Sequence, residues 1–300
     1  MLACAAKQGL KTALISIVGD DSFGHYLVGV LKDVNIDVRA VHFSENLPTF
    51  VALVDYDDRG DRRFFKMQLE SSLSGFSPDH LDKELISQAK LVHIAGSMLA
   101  WPDSLEAIRQ AIDFVHEEGK LVSCDVNWRE MLYDQEYAQT IAKPILYEMD
   151  ILKMSEEEMS LYTGTSDLVE GTKILCEAGI KLVAVTLGAR GCYYRYKNGS
   201  GRLYTYDTKV VDTNASGDTF TAVMLAGLAE YSYDIDSISN DIMYHIMERA
   251  NAGGAVCAAR DGRDEKCPRP GVRVSDGVMP ARDTDSHIRR GDRPRGDRPF

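Results

Sequence analysis

Residues Asp212 to Asp218 read Asp-Thr-Asn-Ala-Ser-Gly-Asp, between a β-type run (Thr205 to Val211) and a long apolar run (Phe220 to Leu228). This context suits chemistry on a phosphate. Ala215, Ser216 and Gly217 are small enough to let the backbone turn tightly where a helix begins, and the free N–H groups of such an N-terminus bind anions without a basic side chain. Asp218 falls in the first helical turn, beside the anion. A carboxylate there repels phosphate, so it does not serve as a ligand, but it can take the proton from a hydroxyl attacking that phosphate. The same residues also make an ordinary helix start, since Asp and Ser are favoured in that position for stability alone.

The elements that must position this turn are legible along the chain. Thr12 to Val18, Leu91 to Ala95, Leu121 to Asp125, Ile151 to Lys153 and Leu182 to Leu187 have the length and β-branched content of buried strands, and Phe23 to Val34, Asp103 to Glu118, Gln135 to Glu148 and Leu168 to Ala178 have helical spacing. Their alternation predicts an α/β fold with a mostly parallel central sheet covered by helices on both faces. Phe50 to Tyr56 and Arg62 to Met67 flank a polar, Gly-containing segment and break the rhythm, which predicts an inserted β-hairpin spanning about 48–70.

Ligands of open α/β sheets bind beyond the carboxyl ends of the strands. Asp125, Asn127 and Arg129 leave such an end as alternating polar residues, where Asn127 can hydrogen-bond a phosphate or sugar and Arg129 can neutralise transferred charge. A loop closed by a salt bridge would read the same way. Ser155 followed by Glu156, Glu157 and Glu158 reads as a capped helix start. Neither a G-x-x-x-x-G-K-[ST] loop nor a G-x-G-x-x-G helix start occurs, so any ATP site is of a different kind.

Seven stretches, in order, resemble the ribokinase-like (PfkB) sugar kinases. Asp212 to Asp218 resembles that family's Asp-Thr-x-Gly-Ala-Gly-Asp signature, departing from it at Asn214, Ala215 and Ser216. The others are Val18-Gly19-Asp20-Asp21 with Phe23-Gly24, Pro48-Thr49, Asp125 to Arg129, Lys153 to Glu158, Val185 to Gly188 with Gly191, and Ala250-Asn251-Ala252 with Gly254-Ala255. The resemblance implies a ribokinase-like fold, ATP-dependent phosphorylation of a sugar, and a hairpin that lids the sugar and pairs two subunits. It implies that Asp218 is the base and that Glu158 holds magnesium on ATP through water. A potassium ion beside Asp212 and Thr213 is a further option. Adenine would lie between Leu187, Gly188 and Gly191 on one side and Asn251 and Gly254 on the other. The motif set looks most like bacterial fructokinases, with 2-dehydro-3-deoxygluconate kinases the close alternative.

Composition narrows the partners. A net charge of −12 argues against nucleic acid. No apolar run reaches a membrane span and no signal-peptide pattern is present, so the cytoplasm is the expected location. The 6 cysteines lack C-x-x-C spacing and read as reduced core thiols.

Both ends depart from the pattern. Family members begin with a strand and a Gly-Gly-x-x-x-Asn segment that carry much of the sugar contact, whereas Leu2 to Gly9 resembles the helix just after them. The expected consequence is weakened sugar affinity, and a relative with little activity that binds only nucleotide or a partner is the competing reading. Residues 1–260 are expected to form the kinase domain. From Arg260 on, 11 basic and 8 acidic residues, 5 prolines and a repeated Arg-Gly-Asp-Arg-Pro predict a disordered low-complexity tail over 261–300.

Overall fold

Alternate residues of one strand enter two different cores. Val183 and Val185 pack into the core under one face of the main sheet, and Leu182 and Ala184 into the core under the other. A strand apolar on both faces needs cover on both, and the computed structural model of the protein, which describes residues 1–56, 62–260 and 279–280, shows that cover.

The elements begin α1 (Leu2–Lys7), β1 (Thr12–Gly19), α2 (Ser22–Asp33), β2 (Ile36–Ser44), β3 (Ala52–Tyr56), β4 (Arg62–Met67), α3 (Lys83–Gln88), β5 (Leu91–Ala95), α4 (Pro102–Glu117) and β6 (Leu121–Asp125). A helical segment follows as α5 (Gln135–Tyr137), a π turn (Ala138–Ala142) and α6 (Lys143–Leu146). Then come β7 (Ile151–Ser155), α7 (Glu156–Thr163), α8 (Leu168–Glu177), β8 (Leu182–Thr186), β9 (Cys192–Tyr196), β10 (Gly199–Leu203), β11 (Tyr206–Asp207), α9 (Ser216–Ala229), α10 (Asn240–Ala258) and β12 (Met279–Pro280).

The main sheet has the order β10-β9-β8-β7-β6-β5, with β5 to β8 parallel and β9 and β10 added antiparallel. Strands β1 and β2 form a separate parallel pair, and β3 with β4 is the expected hairpin. Its turn, residues 57–61, lies outside the described residues, as does all of the predicted tail except Met279–Pro280, which pairs antiparallel with Tyr206–Asp207. Of the expected strand over Thr205 to Val211, Tyr206–Asp207 has strand pairing among the described residues, and Val211 and Asp212 donate their N–H groups to the Ala258 carbonyl at the end of α10.

One core holds the inner faces of β5 to β8 against α4 to α8, and the other holds the opposite face against α1, α9 and α10. Ten consecutive residues of α9, Thr219 to Leu228, are buried, so this helix is apolar all round and sits inside the molecule. Its N-terminus is therefore held by packing on several sides.

Cys4, Cys124, Cys192 and Cys257 are buried and Cys176 is half-buried. Among the described residues no helix is long and apolar enough to cross a membrane.

Candidate active site

The chain enters α9 through a turn that local chemistry closes. Asp212 accepts the Asn214 N–H on Oδ1 at 2.8 Å, and Ser216 donates its N–H to the Thr213 carbonyl at 3.2 Å. Ala215 takes the left-handed conformation, φ +63° and ψ 6°, which reverses the chain at a cost of about 1–2 kcal/mol for an L residue. Its carbonyl then accepts the Thr219 N–H at 2.8 Å, the first bond of the helix.

The N–H groups of Ala215 and Gly217 have no acceptor among the described residues, and the buried Ser216 Oγ has no partner. Polar groups left this way at a helix N-terminus suit an anion. Of the three residues expected to donate backbone N–H groups to the anion, Ser216 is the exception: its N–H is spent within the turn, and its hydroxyl is the group left over. Asp218 projects from the first turn with its side chain 51 % exposed, and the Met1 ammonium stands 3.6 Å from its Oδ1.

The second group of residues leaves β6 and β7. Asp125 and Lys153 are paired neighbours in the parallel register, and Lys153 Nζ donates to both Asp125 carboxylate oxygens at 3.0 and 3.1 Å. Both side chains are buried, and Thr221 Oγ1 of α9 adds a 3.4 Å contact to Asp125 Oδ2. Asp125, expected among the phosphate and substrate contacts, is thus held by a buried lysine. The sequence did contain the signal for Lys153: a lysine inside the apolar run Ile151 to Met154 must find a partner if the run is a buried strand. Asn127 has φ +42°, in the left-handed region, and Arg129 donates from a terminal guanidinium nitrogen to the Trp128 carbonyl at 2.7 Å.

Glu158 joins these loops. Its Oε2 accepts the Ser155 N–H at 2.7 Å while Ser155 Oγ accepts the Glu158 N–H at 3.2 Å, a reciprocal cap, and its Oε1 accepts the Trp128 N–H at 2.7 Å. Burial pushes its carboxyl above the ordinary range, opposed by Lys153 and the Ser155 N–H, raised further by Asp125 and opposed again by the Trp128 N–H. Among the described residues no three His, Cys, Asp or Glu side chains stand together as a metal site. The donor set fits an ion carried mainly by phosphates and waters, with one carboxylate nearby.

The expected adenine wall is only partly free. Gly188 has φ +57° with nothing beside it among the described residues, whereas a side chain at Gly191, φ +89°, would strike the Leu203 carbonyl. Leu187 is buried, Asn251 donates its side-chain amide to the Tyr204 carbonyl at 2.9 Å, and a Cβ on Gly254 would lie 3.4 Å from the Ser216 carbonyl. Gly254 thus keeps α10 close to the anion turn, and Asn251 fixes the loop after β10.

A distant bracket ties the first motifs together. Asp21 caps α2 through the Gly24 N–H at 2.8 Å and also accepts the Thr49 N–H and hydroxyl, both at 2.8 Å, while Thr49 Oγ1 accepts the Gly19 N–H at 3.0 Å. The hairpin base is further held where Trp101 Nε1 donates to the Leu69 carbonyl at 3.2 Å.

The family model described as pfkB family carbohydrate kinase matches residues 1–268. The chain belongs to the pfkB family of carbohydrate kinases. This pfkB protein is 33% identical over 272 residues to probable fructokinase-5 of Arabidopsis thaliana, covering 90% of this chain and 83% of that one. A putative ribokinase II from E. coli, solved with ATP and Mg+2, is 26% identical with a TM-score of 0.79, covering 89% of this chain and 83% of that chain. A fructokinase from Vibrio cholerae O395, solved with fructose, ADP and a calcium ion, is 25% identical with a TM-score of 0.76, covering 89% and 86%. The pfkB chain is thus a sugar kinase with the ribokinase-like α/β fold its strand order displays.

Proposed function

We propose that this sugar kinase transfers the γ-phosphate of ATP to a primary hydroxyl of fructose. The observation that carries the reading is the start of α9: two N–H groups and a Ser216 hydroxyl that have no partner among the described residues, beside a half-exposed Asp218. Phosphoryl transfer needs alignment and charge neutralisation more than covalent chemistry. Asp218 takes the proton from the attacking hydroxyl. The Ala215 and Gly217 N–H groups and the Ser216 hydroxyl then hold the charge developing on the transferred group.

Magnesium, when bound with ATP, neutralises the phosphates, and Glu158 is the residue that would hold one of its waters. Asp212 and Thr213 offer oxygens to a potassium ion beside the turn. Asn127 and Arg129 reach the phosphates or sugar from the end of β6, and Gly188 gives the adenine room. The hairpin β3–β4 acts as the sugar lid and as the surface for a second copy, within a kinase domain of residues 1–260. Fructose is preferred over 2-dehydro-3-deoxygluconate because the curated relatives that match include probable fructokinases of Arabidopsis thaliana, covered over 74% and 83% of their length.

One observation favours a second reading, a family member that binds nucleotide but turns sugar over slowly. The β1–β2 pair has no strand pairing to the main sheet among the described residues, and Thr12 Oγ1 is buried there without a partner. ADP release with ATP, magnesium and each of fructose, 2-dehydro-3-deoxygluconate or no sugar separates the two. Fructose-dependent release that Asp218→Asn abolishes supports the first. Nucleotide binding without sugar-dependent release supports the second.

A further inference from the structure

Lys153 lies within β7, between Leu152 and Met154, which face the opposite core. Its ammonium ends beneath the start of α9: a Cβ on Gly217 would stand 2.9 Å from Lys153 Nζ. From there a closed circuit returns to the helix. Lys153 grips both oxygens of Asp125, Asp125 contacts the Thr221 hydroxyl, and that hydroxyl donates to the Gly217 carbonyl at 3.0 Å. Gly217 is thus held from both sides, by the ammonium where a side chain would stand and by the hydroxyl on its carbonyl, while its N–H has no acceptor among the described residues.

We propose that Lys153 is a positioning residue for phosphoryl transfer. Its buried positive charge, held by Asp125, sets the first turn of α9 and offsets carboxylate charge where the transferred phosphate must sit. The inference rests on the reading of that turn as the phosphate site.

Two physical points favour this role over a plain strut. A buried ion pair stabilises a fold little better than apolar residues of the same volume, so stability alone gives no reason to place one here. A fixed cation in a water-poor site also acts on developing negative charge with little reorganisation. A side chain at 217 would push on the ammonium, so glycine there and the placement of Lys153 go together.

The deciding comparison uses Lys153→Met, Asp125→Asn and the double variant, with Tm, fructose kinetics and calorimetric affinities for ADP and a non-hydrolysable ATP analogue. Each single variant strands a buried partner and should lower both Tm and kcat. The double variant removes both charges. Its Tm is expected within a few degrees of wild type, with kcat still down roughly 100-fold and the fructose KM changed less than about threefold, the size expected for losing one preorganised electrostatic group. Recovery of kcat together with Tm overturns the proposal and leaves a strut.

The binding arm does not depend on turnover. If the wild-type chain phosphorylates none of the sugars, the double variant should still lose its preference for the ATP analogue over ADP by about tenfold, and an unchanged preference overturns the proposal. Should the double variant fail to fold, Lys153→Gln removes the charge while keeping a donor to Asp125. The same loss of preference is expected there, and its retention overturns the inference.

Discussion

Glu158 Oε1 accepts the Trp128 N–H at 2.7 Å, so the carboxylate that caps α7 also clamps the loop leaving β6. One side chain thereby sets the relative position of two strand ends at the site. Glu158→Ala leaves two N–H groups without this acceptor and removes a cap, and a loss of about 2–4 kcal/mol is expected by denaturant unfolding. Glu158→Gln keeps one acceptor oxygen and should lose about half as much.

The same residue has a signature in pH. Because burial raises its folded value above the ordinary 4.5, the unfolded chain gives up this proton first as pH rises. Stability should therefore fall with rising pH from about 4.5 up through the folded value and level off above it. Glu158→Gln should flatten that segment of the stability profile, and an unchanged slope would assign it to another group.

Asp218→Asn tests the base. The side chain is half exposed, so Tm should stay within a few degrees, while kcat falls by roughly three orders of magnitude. Steady-state ADP release together with a thermal melt reads both, and near-normal turnover would remove Asp218 from the chemistry.

His93, on β5, gives a second pH prediction with the opposite sign. Burial lowers it from 6.5 to about 4, against the pull of Asp125 and Asp218 and with the push of the Met1 ammonium and Lys153, and its Nδ1 lies 2.9 Å from Ser123 Oγ. The unfolded chain takes up this proton first as pH falls. Stability should drop as pH falls from 6.5 to about 4, by at most about 1.4 kcal/mol per pH unit from this group. His93→Gln should remove that slope in a series of denaturant titrations across the window.

Thr49→Val tests the bracket at the hairpin base. The substitution conserves shape but leaves the Gly19 N–H without its side-chain acceptor and takes a donor from Asp21. A loss of about 1–3 kcal/mol is expected from chemical denaturation. A variant as stable as wild type would mean that Asp21 holds the loop through the Thr49 and Gly24 N–H groups alone.

Much of this protein was determined by its sequence. Leu91–Ala95, Leu121–Asp125 and the arms of the hairpin follow from runs whose period and punctuation are local, as does the turn into α9, where small residues and Asp218 announce a helix N-terminus before any tertiary contact forms. The family resemblance adds the order of the motifs, and the match over residues 1–268 agrees with it. Tertiary structure alone decided what the polar residues face. Asp125 looks like a ligand in sequence because it ends a strand, yet it turns to Lys153, 28 residues away, because parallel pairing sets them side by side. Asn251 looks like a pocket wall in sequence, and only the fold shows that its amide holds the Tyr204 carbonyl. Glu158 reads as a cap, and only the approach of Trp128 makes it a clamp. Periodicity reports which face a residue occupies, whereas the partner of a buried charge depends on which distant strand lies beside it.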